Sequence, residues 1–485
     1  MALSRLERAQ VWLLKAVTEV LVIVFRFFSP RRPALSGKKL PPVRNSLLLM
    51  SATQLAKKIR RKEVSSVEVV QAYIDRIQEV NPFVNAVVKD RFAAALQEAA
   101  QVDKLIEEET GGEEVLEDRL PLLGVPLSVK ESYALQGMPF TTGLVSRRGI
   151  VATVDAPPVA LLKRAGAIPL GVTNTSELCM WYESHNHIYG ITNNPYDLER
   201  IPGGSSGGEG SILGAAGSVI GVGSDIGGSI RMPCFFNGIF GHKTTPGVVS
   251  CENQYPPSSG RQEEYLSSGP MCRYAEDLLP MLKIMAGPRV NILSNLHKSS
   301  ISSSVTLKTW RSNTVCVLPM TFKRTELFLF CLFFSQPPQM FAELMGEPGR
   351  PAWPLWELLK WMIGRSDHTL AAIGKGCNTD FQSMKEKLQK QVDELLGADG
   401  VFLYPSHPKV APKHHHPLLR PFDFSYTGII NMLGLPVTQC PLGVGEEGLP
   451  LGVQVVAGKL QDHLTLAVAL HLEKTFGGWK DPGAN

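Results

Sequence analysis

Behind Ser65-Ser66-Val67-Glu68, which has the spacing of a capping box, apolar residues recur at Val67, Val70, Ile74, Ile77 and Val80. Residues 51–80 therefore predict helices, ended by Asn81-Pro82. A second helix is expected over 90–108, followed by an acidic loop. The pattern then shortens: "LPLLGVPLSVKES" is a compact apolar run that reads as a strand ending at Lys130. A helix over 159–167 leads into a strand over 168–174. The alternation continues through 209–224 and resumes at 400–408, 435–444 and 450–458, before a last helix at 462–475. Helix-to-strand alternation of this kind predicts the α/β class.

Two segments break the pattern. Residues 11–28, "VWLLKAVTEVLVIVFRFF", come close to the length of a bilayer span, and Lys15 and Glu19 sit four apart on one helical face. Residues 1–33 are thus expected to form a membrane-associated or transmembrane segment, single-pass or interfacial, with a membrane or lipid-droplet surface as a partner. The excess of basic residues after the segment (Arg31, Arg32, Lys38, Lys39) over those before it (Arg5, Arg8) places the body in the cytosol. The other break is 288–345, an atypical stretch that opens Ser-rich and contains "LFLFCLFF" at 327–334, too short for a bilayer and too apolar for a loop.

Composition narrows the chemistry. Hydrophobic residues make up 44% of the 485, and a net charge of +4 without a Lys/Arg stripe argues against nucleic acid as a partner. Eight cysteines without C-x-x-C pairs argue against a zinc module and a dense disulfide framework. The consecutive His414-His415-His416 cannot chelate from one helical face, so no metal is expected.

The stretch "IPGGSSGGEGSILGAAGSVIGVGSDIGGSIRMP", 201–233, holds Ser205-Ser206 and Ser229 on two glycine-rich loops. The apolar filling between them needs a core, which a flexible linker would not. If 208–217 is a helix and 218–224 a strand returning from its far end, the two rises match at about 15 Å, and Ser229 comes back beside Ser205. Ser205 then sits near a helix N-terminus, and the glycines of 225–229 can turn several N–H groups toward one point as an oxyanion hole.

A serine nucleophile needs a base. G-x-S-x-G fits twice here, which raises a Ser-His-Asp esterase with His407, His414 or His463, although any GGSSGG matches that pattern. Lys130 at the end of an apolar strand is the other base, since desolvation would lower its pKa. Its bland alternative is a lysine snorkelling to water.

Lys130, "GGSSGGEG" and "GSDIGGSIRMP", joined by "LLGVPLSVKE", resemble the signature of the amidase signature family. The resemblance implies a single α/β/α domain over 45–485 around a large, mixed, twisted sheet, with no cofactor. It implies a Ser-Ser-Lys triad in which Ser205 is the nucleophile, Ser229 the bridging serine in a cis peptide linkage and Lys130 the base. Ile226, Gly227 and Gly228, with Ser229, would supply the oxyanion hole, and Ser206, Asp225 and Arg231 would support it. The N-terminal segment, "ELCMWYES" and "PLWELLKW" make the chain similar to members that cleave lipid amides, such as anandamide-like N-acylethanolamines and oleamide. Those members imply a membrane setting at the endoplasmic reticulum or a lipid droplet, and a homodimer. Other members are glutamine-hydrolysing amidotransferase subunits, and a catalytically impaired relative is a further alternative. In the family, 288–345 is a longer segment.

Overall fold

The computed structural model describes residues 37–293, Glu357, Lys360, 365–367 and 382–484. The expected segment 1–33 and the "LFLFCLFF" run lie outside the described residues. Among the described residues, no helix is long and apolar enough to cross a membrane.

The amino-terminal helices are α1 (Ala52–Arg60) and α2 (Ser66–Val84). The capping box forms: Ser65 Oγ accepts the Glu68 N–H at 3.1 Å, and the Glu68 carboxylate accepts the Ser65 N–H at 2.9 Å. Helix α2 runs past Asn81-Pro82 to Val84, against expectation. Pro82 forfeits only its own N–H, and the last turn closes beyond it where the Asn81 carbonyl accepts from Asn85 N–H at 2.8 Å. Asn85, left-handed at φ 49°, ends the helix.

Strand β1 (Val87–Asp90) and α3 (Phe92–Glu108) follow. The expected acidic loop is instead α4 (Gly112–Arg119). Glu113 and Glu114 lie in its first turn and Arg119 in its last, the arrangement the helix dipole favours.

Next come β2 (Pro126–Lys130), α5 (Pro157–Arg164), β3 (Ile168–Thr173), a two-stranded ribbon of β4 (His185–Asn186) and β5 (Gly190–Ile191), α6 (Gly207–Gly214), β6 (Ile220–Asp225), α7 (Arg231–Phe236), β7 (Phe240–Lys243), β8 (Ser267–Cys272) and α8 (Leu278–Ala286). The carboxy-terminal part carries α9 (Gln382–Leu396), β9 (Val401–Tyr404), α10 (Ser425–Met432), β10 (Val437–Val444), β11 (Pro450–Ala457) and α11 (Asp462–Phe476).

Nine strands form one mixed sheet in the order β1-β3-β2-β6-β8-β7-β10-β11-β9. Strand β2 runs parallel to both β3 and β6, and the other pairings are antiparallel. Neighbouring residues of β7 show the layering. His242 Nε2 lies 3.1 Å from Asp462 Oδ1 of α11, while a Cβ on Gly241 would meet Cys234 Sγ of α7 at 2.3 Å. Successive strand residues face opposite sides, so α7 and α11 cover opposite faces and the expected α/β/α arrangement is present.

This topology positions the site. Lys130 ends β2, and β6 beside it ends at Asp225, so the loop from 226 to 230 leaves the sheet next to the lysine. Register carries the two together, with Val129 opposite Val222.

Candidate active site

Lys130 is fully buried, and its Nζ donates to Ser205 Oγ at 2.7 Å and to Ser224 Oγ at 3.0 Å. Burial lowers its pKa from the ordinary lysine value, against upward pulls from the Cys179 thiol, Asp225 and Glu209. The snorkelling alternative does not hold, because the ammonium position is enclosed.

Ser205 precedes α6 on a loop gripped from below. Ser184 Oγ accepts the Gly207 N–H at 2.9 Å and lies 3.0 and 3.2 Å from the carbonyl oxygens of Gly203 and Ser205. Gly204 is required there, since a Cβ would stand 2.5 Å from the Trp181 carbonyl oxygen. The helix-up, strand-back reading is met: Ser206 N–H donates to the Ser229 carbonyl at 3.2 Å, so the two loops touch.

The cis linkage is corrected. It joins Gly204 to Ser205 and not the residues at Ser229. Ser205, expected as nucleophile, is wholly enclosed and bonded to Lys130. Ser229, expected as the bridge, is 8% exposed and lines a cavity shared with Ser205, Ser224, Ile226 and Gln254. Of these two serines lining that cavity, Ser229 is the more exposed.

The expected oxyanion donors are corrected in part. Gly228 N–H donates to Asp225 Oδ1 at 2.7 Å and is therefore already used. The N–H groups of Ile226, Gly227 and Ser229 have no hydrogen-bond partner among the described residues. Thr427 Oγ1 fixes the loop by donating to the Gly227 carbonyl at 2.6 Å. Gly228 needs its lack of a side chain twice over, at φ +127° and with Thr427 Oγ1 2.1 Å from where a Cβ would stand.

Asp225 and Arg231 form a buried, two-pronged pair, with Arg231 Nε 3.0 Å from Oδ2 and Nη2 2.9 Å from Oδ1. Burial pushes the Asp225 carboxyl up, but the Arg231 guanidinium and its hydrogen bonds hold it well below the usual carboxylate range. Arg231 also donates to Gln454 Oε1 at 2.7 Å and the Thr427 carbonyl at 3.0 Å, while Asn431 Nδ2 donates to Asp225 Oδ1 at 2.8 Å. Ser206 Oγ stands 3.4 Å from the Ser224 carbonyl, under the same loop.

Sequence reasoning missed three groups. Ser224 was available from strand alternation, since it lies on the same side of β6 as Val222, but only once β6 is known to neighbour β2. Glu209, in the first turn of α6, accepts from Ser128 Oγ at 2.6 Å and Thr173 Oγ1 at 2.8 Å, and burial raises its pKa to about 7. Cys179, half-buried on the cavity wall at φ 57°, had no sequence signal. Of the histidines weighed for a triad, His407 Nδ1 lies 2.8 Å from the Lys409 carbonyl and His414 Nδ1 2.9 Å from Glu183 Oε1.

The chain matches the amidase family model over residues 68–313 and 339–466. It is 62% identical to fatty-acid amide hydrolase 2-A of Danio rerio, covering 100% of this chain and 99% of that protein. That alignment spans 533 positions against the 485 residues here, so the relative carries residues this chain lacks. It is also 50% identical to fatty-acid amide hydrolase 2 of Homo sapiens, covering 100% of both. A solved fatty acid amide hydrolase superposes with a TM-score of 0.68 at 23% identity, covering 90% of this chain and 86% of that one, which shows the shared fold.

Proposed function

The chain belongs to the amidase family, and we propose from that premise and from the site geometry that it hydrolyses fatty-acid amides to a fatty acid and an amine through an acyl-enzyme. End-to-end identity with fatty-acid amide hydrolases supports the substrate class. The observation that carries the mechanism is the 2.7 Å contact of Lys130 with Ser205, set behind the cavity-lining Ser229.

In this reading Ser229 is the nucleophile and Ser205 the relay, the reverse of the order expected from sequence. Neutral Lys130 accepts the Ser205 proton while Ser205 accepts the Ser229 proton. Ser229 Oγ bonds to the amide carbonyl carbon, and the carbonyl electron pair moves onto oxygen. The N–H groups of Ile226, Gly227 and Ser229 hold that oxyanion, each such donor contributing about 3 kcal/mol in the transition state. As the C–N bond breaks, Ser205 passes a proton to the departing amine and recovers one from Lys130. Water then cleaves the ester by the same relay. The Asp225–Arg231 pair and Thr427 hold the donor loop in shape.

The membrane setting belongs to the same proposal. An enzyme of lipid amides takes substrate from a lipid phase, and residues 11–28 have the composition to reach it at the endoplasmic reticulum or a lipid droplet. Homodimerisation is consistent with this reading but carries none of it.

The test is the purified full chain in detergent with oleamide, N-oleoylethanolamine and glutamine. Fatty acid release from the lipid amides together with fluorophosphonate labelling at Ser229 supports the proposal. Turnover of glutamine alone favours the amidotransferase alternative, and labelling lost on replacing a histidine instead of Lys130 favours the esterase.

A further inference from the structure

Glu131 follows Lys130, is fully buried, and has no part in the reaction proposed above. Donors meet its carboxylate on both oxygens. Oε1 accepts the Thr141 N–H at 2.7 Å, the Thr141 hydroxyl at 2.6 Å and the Tyr189 hydroxyl at 3.1 Å, while Oε2 accepts the Thr142 N–H at 2.6 Å. A buried carboxylate is tolerated only where such donors compensate it, and hydrogen bonds to a charged acceptor are the strong ones. Glu131 therefore clamps residues 141–142 rigidly.

The clamp reaches the cavity through Thr142. That residue is held at φ 52°, a conformation that β-branched side chains rarely adopt. Its carbonyl accepts the Leu178 N–H at 2.9 Å, and its hydroxyl donates to the Tyr255 carbonyl at 3.0 Å. Leu178 and Tyr255 both line the cavity that Ser205 and Ser229 share. One carboxylate thus fixes two parts of the wall that lie far apart in sequence. The end of β2 belongs to the same frame, since Glu131 N–H donates to the Thr173 carbonyl at 3.0 Å.

The cavity measures about 40 Å³. At about 10–15 Å³ per water-sized group, that admits roughly three such groups, so a displaced wall changes what can sit in front of Ser229. The proton path is separate, because Lys130 Nζ bonds to Ser205 and Ser224. Loss of the clamp should therefore weaken binding more than it slows the chemistry.

We propose that Glu131 is a positioning residue: through Thr142, its carboxylate holds the Leu178 and Tyr255 walls where an acyl electrophile can bind before Ser229. This rests on the reading of Ser229 as the nucleophile.

The test uses the purified full chain and ethyl dodecylphosphonofluoridate, whose saturable labelling of Ser229 gives KI and kinact separately, with oleamide hydrolysis measured beside it. Glu131→Gln keeps the shape but turns an amide NH2 toward a backbone N–H. Its KI is expected to rise about tenfold, with kinact within about threefold of wild type, as for one lost buried hydrogen bond. Thr142→Val, which removes only the hydroxyl, should raise KI in the same way, and Thr142→Ser, which keeps the hydroxyl, should restore it. The double variant Glu131→Gln/Thr142→Val should raise KI by less than the product of the two single effects, because both break one link. Where Glu131→Gln is not labelled at all, Thr142→Val against Thr142→Ser decides. A wild-type KI in Thr142→Val, or a loss confined to kinact in either single variant, overturns the inference. Labelling as expected without oleamide cleavage leaves the inference standing and overturns the substrate reading. A wild-type chain not labelled at Ser229 overturns the nucleophile reading, and the inference with it.

Discussion

Lys130 Nζ donates to Ser205 Oγ at 2.7 Å in a contact closed to solvent, while Ser229 lines the cavity in front of it. The enclosed serine is suited to moving protons and the accessible one to forming a bond. The two replacements should therefore differ. Ser229→Ala is expected to abolish both hydrolysis and fluorophosphonate labelling. Ser205→Ala should leave measurable labelling, with hydrolysis reduced on the order of 10²–10⁴-fold, the usual worth of a positioned proton carrier. Labelling of Ser229→Ala at the wild-type rate would restore Ser205 as the nucleophile.

The base gives a pH signature. Burial lowers the Lys130 pKa, so the amine is neutral at a lower pH than an exposed lysine, and activity should fall as acid protonates it. Lys130→Ala should lose activity most at neutral pH and regain part of it at high pH, where hydroxide replaces the missing base. A pH–kcat/KM profile of the variant parallel to the wild type would remove Lys130 from proton transfer.

Much of this arrangement was legible in the chain. The 15 Å match between one helix and one returning strand brought Ser229 to Ser205, and Lys130 was readable as the end of a buried apolar run. The carboxy-terminal strands were readable for the same reason, being short apolar runs between turn residues. What the sequence hid was of another kind. Which serine faces Lys130 depends on the path of Gly203–Ser205 around Ser184, a contact across 21 residues with no periodic trace. The use of Gly228 N–H by Asp225 is a local hydrogen-bond choice, since any of the loop amides could have turned that way. Helix α4 was hidden because its stability comes from charges at its ends and burial of Leu116, not from an apolar stripe.

The Asp225–Arg231 pair makes a stability prediction. Both side chains are fully enclosed, so removing one partner leaves the other charge buried and unpaired. Arg231→Met should destabilise the fold by about 3–5 kcal/mol in chemical denaturation and slow fluorophosphonate labelling, because Asp225 also holds the N–H groups of Gly228 and Ile230. Unchanged stability with slow labelling would confine the pair to shaping the loop.

Residues 1–33 are expected to supply membrane attachment and nothing to the chemistry, because the described site is assembled from Lys130 onward. Deleting them should move the chain from the membrane pellet toward the soluble fraction while labelling of Ser229 persists. Sedimentation that does not change on deletion would assign lipid binding to another surface.

Glu209 links the site to pH through stability. Burial raises its pKa to about 7, well above an unfolded glutamate near 4.5, so between those values the folded chain binds more protons than the unfolded one. The contribution is fully present below about pH 4.5 and is lost as pH rises through 7, a penalty on the order of 3 kcal/mol for a shift of this size. Glu209→Gln cannot ionise, yet its amide can still meet the hydroxyls of Ser128 and Thr173. The variant should therefore gain stability relative to wild type as pH is raised from 5 to 8, read as the pH dependence of the denaturation midpoint. A constant difference across that range would mean that Glu209 stays ionised in the folded chain, held so by the hydroxyls of Ser128 and Thr173 and by Lys130 nearby.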